Sequence, residues 1–141
     1  MNAVPLIPDT ADLQESLAYL PLETYQAGER VLTAGSRTGR LLFLKDGSVG
    51  VFQQGIQIAK EAEPGAMFGD ISALLDWPHT ADVVALETSR FHVADAVSLL
   101  TQDSVALLYV ASILARRLYG TDQMLVCLKK ASSWNISPLA I

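Results

Sequence analysis

The sequence predicts a mainly β protein with flanking helices: an antiparallel β-roll of jelly-roll type, followed by a C-terminal helix pair. Three observations predict it. Between residues 21 and 94, short apolar stretches alternate with glycine-bearing turns at close spacing, as in a compact antiparallel roll or barrel. One irregular segment, 65–83, interrupts that rhythm. After Ala94 the apolar period becomes helical and stays so to about Lys130.

The elements follow in order. Asp9, Thr10 and Asp12 are capping residue types, and Leu13, Leu17 and Leu20 recur at helical spacing, so residues 1–20 read as a helical lead-in ended by Pro21. The domain proper is expected over 21–131, with the roll over about 21–94 and the helices over about 94–131. Thr24 to Ala27, the turn Gly28-Glu29 and Arg30 to Thr33 read as strand, turn and strand. Leu41 to Lys45 is an apolar run stopped by the turn pair Asp46-Gly47. Val49, Val51, Ile56 and Ile58 flank Gln53-Gln54-Gly55, which suits a hairpin. Strands resume at Val83 to Leu86 and Phe91 to Val93, around Thr88-Ser89-Arg90. A short helix is expected over Ala94 to Leu100, and Asp103 or Ser104 can cap a longer one to about Tyr119. Gly120 then interrupts or bends it, and Thr121-Asp122 can cap a final helix ending near Lys130. The tail 132–141 has no clear period and reads as loose.

Composition narrows the function classes. The 141 residues suffice for a real core, and with half of them apolar and 18% charged the chain is a folded domain. Ten basic against fifteen acidic residues give a formal charge of −5, and the densest basic pairs are Arg116-Arg117 and Lys129-Lys130. Affinity for nucleic acid comes largely from phosphate contacts by clustered cations, so direct nucleic-acid binding is not expected. The single cysteine, Cys127, excludes an intrachain disulfide and reads as a small buried apolar residue. The N-terminus lacks the pattern of a signal peptide. The longest apolar stretch, Val105 to Leu114, is about half of what a membrane span requires, so a soluble cytoplasmic protein is expected.

The irregular segment holds the candidate chemistry. Gly69 permits a tight bend, and Asp70 to Leu75 can form one or two helical turns. Backbone N–H groups of Gly69, Asp70, Ile71 and Ser72 at such a turn suit an anionic phosphate, with Asp70 beside it as acceptor for sugar hydroxyls. Pro78 fixes the chain, and His79 and Thr80 return towards the same spot before the next strand. Asp70 can also act as no more than a helix cap.

Phe68-Gly69-Asp70 followed by Pro78-His79-Thr80-Ala81, nine residues from the acidic position to His79, resembles the phosphate-binding cassette of cyclic-nucleotide-binding domains. These occur in the catabolite activator family, protein kinase A regulatory subunits and cyclic-nucleotide-gated channels. Family members carry Phe-Gly-Glu, a short apolar helix, then Pro-Arg-(Ser/Thr/Ala)-Ala leading into a strand. Gly28-Glu29, Gly47, Pro64-Gly65 and Leu114-Ala115-Arg116-Arg117-Leu118 also fall where the family places such residues, and the resemblance covers roughly 13–130. It implies a regulatory sensor module whose ligand is a 3′,5′-cyclic purine nucleotide, cAMP or cGMP, with no other cofactor and no metal. The ligand-binding residues it implies are Gly69, Asp70, Ile71, Ser72, His79 and Thr80.

Two departures fall on that site. Asp70 replaces a glutamate, the acceptor for the ribose 2′-hydroxyl, and is one methylene shorter; His79 replaces the arginine that grips the cyclic phosphate. Arginine is always charged and forks onto two oxygens, whereas histidine is largely neutral at pH 7. Binding through His79 is therefore expected to be weaker and pH-sensitive. Thr80 stands at the family's Ser/Thr position, whose hydroxyl reaches a phosphate oxygen or a guanine amino group. Trp77 reads as a cassette-surface or core aromatic and Trp134 as a docked tail residue; either could instead stack on a purine.

If the helix continues through Gly120, Leu114, Leu118, Leu125 and Leu128 lie close to one face, which serves packing on the roll or a homodimer seam. No helix-turn-helix domain follows, so the expectation is a stand-alone sensor acting on an unknown effector protein, or a piece of a longer protein. A metal oxygenase on a similar roll needs clustered histidines, yet His79 and His92 are the only two, and hydrolytic catalysis lacks a Gly-x-Ser-x-Gly motif. No enzyme activity is expected. The alternative is a degenerate member of the same fold, acting as a protein-interaction module without a nucleotide.

Overall fold

A computed structural model describes residues 10–132. The order of elements is α1 (Thr10–Leu17), β1 (Leu22–Tyr25), β2 (Arg30–Leu32), β3 (Arg40–Asp46), β4 (Val49–Gln53), β5 (Ile56–Glu61), β6 (Met67–Phe68), α2 (Asp70–Leu75), β7 (Asp82–Ala85), β8 (Ser89–Asp95), α3 (Ala96–Gln102) and α4 (Ser104–Ala131). The strands form two antiparallel sheets of four, in the orders β1-β8-β3-β6 and β2-β7-β4-β5. This is the expected β-roll with helices.

The unbroken apolar run of β3 explains its central place. Leu41, Leu42, Phe43 and Leu44 are all buried, so both faces of the strand are covered. Leu42 and Leu44 turn towards the second sheet and join Leu32, Val49, Val83, Phe68, Phe91 and Val93 in one core. Side chains alternate along a strand, so Leu41 and Phe43 face the other way; there the Phe43 ring lies 6.5 Å from that of Tyr109. At the centre of the core, Phe91 meets Tyr25 and Phe68 edge to face, with centroids 5.7 and 5.9 Å away.

Apart from β6, the strands and turns stand where the sequence puts them, and the structure adds their pairing. Arg30 does not turn back onto the preceding strand: β1 pairs with β8 and β2 with β7, so the turn at Gly28-Glu29 carries the chain from one sheet to the other. Asp46-Gly47 does the same between β3 and β4. Gly47 has φ +102, and a Cβ there would lie 2.6 Å from Ser89 Cα, so any larger residue collides with the backbone of β8. Gln54 and Gly55, with φ +52 and +79, close the β4–β5 hairpin as expected. The two-residue strand β6 was not foreseen.

The described residues fall into two compact units, divided after Tyr109. The expected break at Gly120 is corrected: α4 is one helix from Ser104 to Ala131. A single glycine costs a helix only about 1 kcal/mol against alanine, too little to stop 28 residues that otherwise favour helix. The expected burial of Cys127 is also corrected, because it is exposed on that helix. Among the described residues, no single helix is long and apolar enough to cross a membrane. Trp134 and the tail beyond Ser132 lie outside the described residues, as do residues 1–9 of the lead-in.

Candidate functional site

The irregular segment is built around Gly69. β6 ends at Phe68, whose ring is in the core, and Gly69 then takes φ +90. A Cβ at this position would stand 2.6 Å from the Arg40 carbonyl oxygen, so the chain passes too close to β3 for any other residue. The six-residue α2 starts immediately. Its N-cap, Gly69, has no side chain to cap it, and Ala73 N–H closes its first turn on the Gly69 carbonyl at 3.0 Å. Asp76 ends it in a left-handed conformation, with φ +56 and its N–H on the Ser72 carbonyl. Asp70, Ile71 and Ser72 thus occupy the first turn next to Gly69, as the sequence placed them.

Their side chains go separate ways. Ile71 is exposed, while Ser72 is buried. The return segment brings His79 back beside the turn, near enough for the Asp70 carboxylate to favour its protonated form. Burial outweighs that attraction and lowers the His79 pKa below its ordinary 6.5. The ring is only 6% exposed. Thr80, one residue on, is exposed.

A second segment, invisible to the sequence reading, is strapped to this site. The loop between β2 and β3 lies along the cassette and exchanges hydrogen bonds with it throughout. Ala34 N–H donates to Asp82 Oδ1 at 2.7 Å, and Gly35 N–H to the His79 carbonyl at 2.9 Å. His79 N–H donates to the Ser36 carbonyl at 2.7 Å. Thr38 N–H donates to Ser72 Oγ at 2.9 Å, and Thr38 Oγ1 and His79 Nε2 share a hydrogen bond of 3.1 Å. From the same loop, Arg37 Nη1 stands 4.0 Å from Asp76 Oδ2. The imidazole expected to face a phosphate is therefore engaged with a threonine. Thr33 to Gly39 is rich in Gly, Ser and Thr, which signals a loop; no local pattern says where that loop docks.

Two further features bear on the site. Leu74, Leu75 and Trp77 are exposed, so the cassette carries an apolar outer surface and Trp77 is a surface residue, not a core one. Val51 is partly buried against the core and pairs in register with the exposed Ala59. A separate cavity of about 470 Å³ is lined by Ser16, Tyr19, Pro21, Val93, Ser98 and Gln102 among others, none of them in the cassette. Its carboxylates are already occupied: Asp95 caps α3 through Ser98 N–H, and Asp103 accepts from Ser16 Oγ and Ala106 N–H.

Over an alignment of 122 positions, which takes in 79% of this chain and 19% of the other protein, the chain is 36% identical to Glutaminase 2 of Bradyrhizobium diazoefficiens. The chain thus spans about a fifth of the length of that curated relative. Among solved structures it is similar to the catabolite activator protein of Thermus thermophilus, with a TM-score of 0.71 and 24% identity over 86% of this chain and 60% of the other. A cyclic nucleotide-binding domain of Methylobacillus flagellatus gives a TM-score of 0.69 and 23% identity over 83% and 72% of the two chains. A protein kinase A regulatory domain bound to Sp-2Cl-cAMPS gives 0.66 and 20% over 86% and 80%. These likenesses show the fold. The model of the cyclic nucleotide-binding domain matches residues 22–102, from β1 to the end of α3, and so takes in both sheets, the cassette and the loop strapped to it. By that match over more than half its length, the chain belongs to the cyclic nucleotide-binding domain family.

Proposed function

We propose that this chain is a regulatory sensor module that binds a 3′,5′-cyclic purine nucleotide, cAMP or cGMP, in the pocket of the β-roll. The observation that carries the reading is the cassette itself. Gly69 is held at φ +90 against β3, and the first turn of α2 follows directly from this glycine N-cap. In this reading the backbone N–H groups of Gly69 to Ser72 hold the cyclic phosphate. Asp70 accepts from the ribose hydroxyls, and His79 and Thr80 complete the phosphate side.

The module is a binding domain and not an enzyme, works in the cytoplasm, and passes its signal to an effector protein. Its net charge of −5 disfavours DNA as that target. The matched segment is a fifth of a glutaminase, which supports an enzyme as effector, joined to such a module or separate from it. Leu118, Leu125 and Leu128 are exposed on α4 and support a homodimer through that helix.

A second reading is favoured by one specific observation. The ring at the arginine position is buried, hydrogen-bonded to Thr38 and shifted towards neutrality. Such a cassette suits a degenerate family member that uses the apolar surface of Ile71, Leu74, Leu75 and Trp77 to engage a protein without nucleotide. Calorimetric titration with cAMP and with cGMP separates the two. Saturable heat for either supports the sensor; no heat and no thermal shift at millimolar ligand leaves the interaction module.

A further inference from the structure

A cyclic nucleotide carries one negative charge on its phosphate, and burying that charge in a roll requires a cation or a dense set of donors. His79 does not supply the cation at neutral pH. Its ring is 6% exposed, engaged by Thr38, and held neutral by burial. On the first sheet, Arg40 is held by Glu23 and Arg90 by Asp46. Arg37 differs from both. It lies in the β2–β3 loop between Ser36 and Thr38, the two residues that bond to His79 and Ser72.

We propose that Arg37, reaching from the β2–β3 loop, is the cation that pairs with the cyclic phosphate at the cassette, in place of the arginine absent at position 79. The proposal rests on the nucleotide-binding reading above. Thr38 N–H is 2.9 Å from Ser72 Oγ. Covalent geometry then puts Arg37 Cα within about 5 Å of that oxygen, on the first turn of α2. An extended arginine side chain exceeds that span. The guanidinium is also available: its partner Asp76 stands 4.0 Å away, and the two side chains are 57% and 91% exposed. A pair so solvated holds weakly, so a phosphodiester that offers two oxygens to a planar fork displaces it at little cost. The loop's backbone bonds to His79 and Asp82 fix the base from which Arg37 swings. The guanidinium thus reaches the site from a neighbouring loop.

The test is calorimetric titration with cAMP and cGMP at pH 7.5, using the full chain as wild type, Arg37→Ala, Arg37→Lys and Asp76→Ala. Adenosine and guanosine serve as phosphate-free probes, followed by ligand-observed NMR. Arg37→Ala is expected to weaken cyclic-nucleotide binding at least tenfold while nucleoside binding changes less than twofold. Arg37→Lys, which keeps the charge but not the fork, is expected between the two. Asp76→Ala, which releases Arg37, is expected to bind as tightly as wild type or tighter. Wild-type binding that Arg37→Ala leaves within twofold overturns the proposal and leaves the sensor reading intact. Equal loss of nucleoside and cyclic-nucleotide binding overturns it as well, since the loop then acts through folding alone. If the wild type binds neither cyclic nucleotide, the sensor reading itself falls, and this proposal with it.

Discussion

His79 carries a pH signature that follows from its surroundings. Burial lowers its pKa below 6.5 in the folded chain, with Asp70 opposing in part. Between the folded and the unfolded pKa the unfolded chain binds more protons, so acid favours unfolding there. The stability that the neutral ring contributes is present in full above about pH 6.5 and is lost as pH falls towards the folded pKa. Urea unfolding of wild type and His79→Gln between about pH 5 and 7.5 checks this. The wild type is expected to lose stability more steeply on acidification, and parallel curves would refute the assignment. If a cyclic nucleotide places its phosphodiester beside the ring, as the sensor reading has it, the effect is opposite, because that anion raises the His79 pKa. Affinity is then greatest below the free-state pKa and falls as pH rises through the bound-state value. His79→Arg is expected to bind more tightly by about 1–3 kcal/mol and to flatten that dependence, as dissociation constants measured across the same range will show.

At the scale of elements, α4 and the two sheet crossings show how local signals and long-range pairing divide the work. Gly120 carries the local signal of a helix end, yet α4 runs through it, and a Cβ at that position meets nothing within 4 Å. Gly120→Ala is therefore expected to stabilise the protein by about 0.5–1 kcal/mol, through lower entropy of the unfolded chain and better helix propensity. Thermal unfolding at fixed protein concentration reads the gain; a loss would mean that the helix needs its glycine. Gly47 shows the opposite case. The Asp46-Gly47 pair correctly marked a turn, but its partner is Ser89, whose Oγ accepts from Ser48 N–H at 3.1 Å. Nothing near position 47 in the sequence announces that contact, because 41 residues separate Ser48 from Ser89.

For the molecule as a whole, the open question is assembly. The exposed Leu118, Leu125 and Leu128, with Met124 beside them, form an apolar surface on the second unit that a homodimer would cover. Light scattering across a dilution series is expected to show a dimer that dissociates on dilution, and Leu125→Lys is expected to give a monomer at every concentration. A wild type that stays monomeric when concentrated rejects the seam.

The sequence by itself determined the roll, the order of its strands and turns apart from β6, and the position of the cassette. Each of these rests on periods and turn residues that act over a few neighbours: the apolar run at 41–44, the Gln54-Gly55 hairpin, the Phe68-Gly69-Asp70 bend. Tertiary structure alone decided which strands share a sheet and where the His79 ring goes. Both depend on contacts between distant parts of the chain. The β2–β3 loop lies 34 residues from Ser72 and 41 from His79 at Thr38, and its docking comes from hydrogen bonds that no local pattern encodes. That docking buries the imidazole and leaves Arg37 beside the cassette. The residue type at position 79 was legible, but its environment was not, because burial and partners belong to the packed fold.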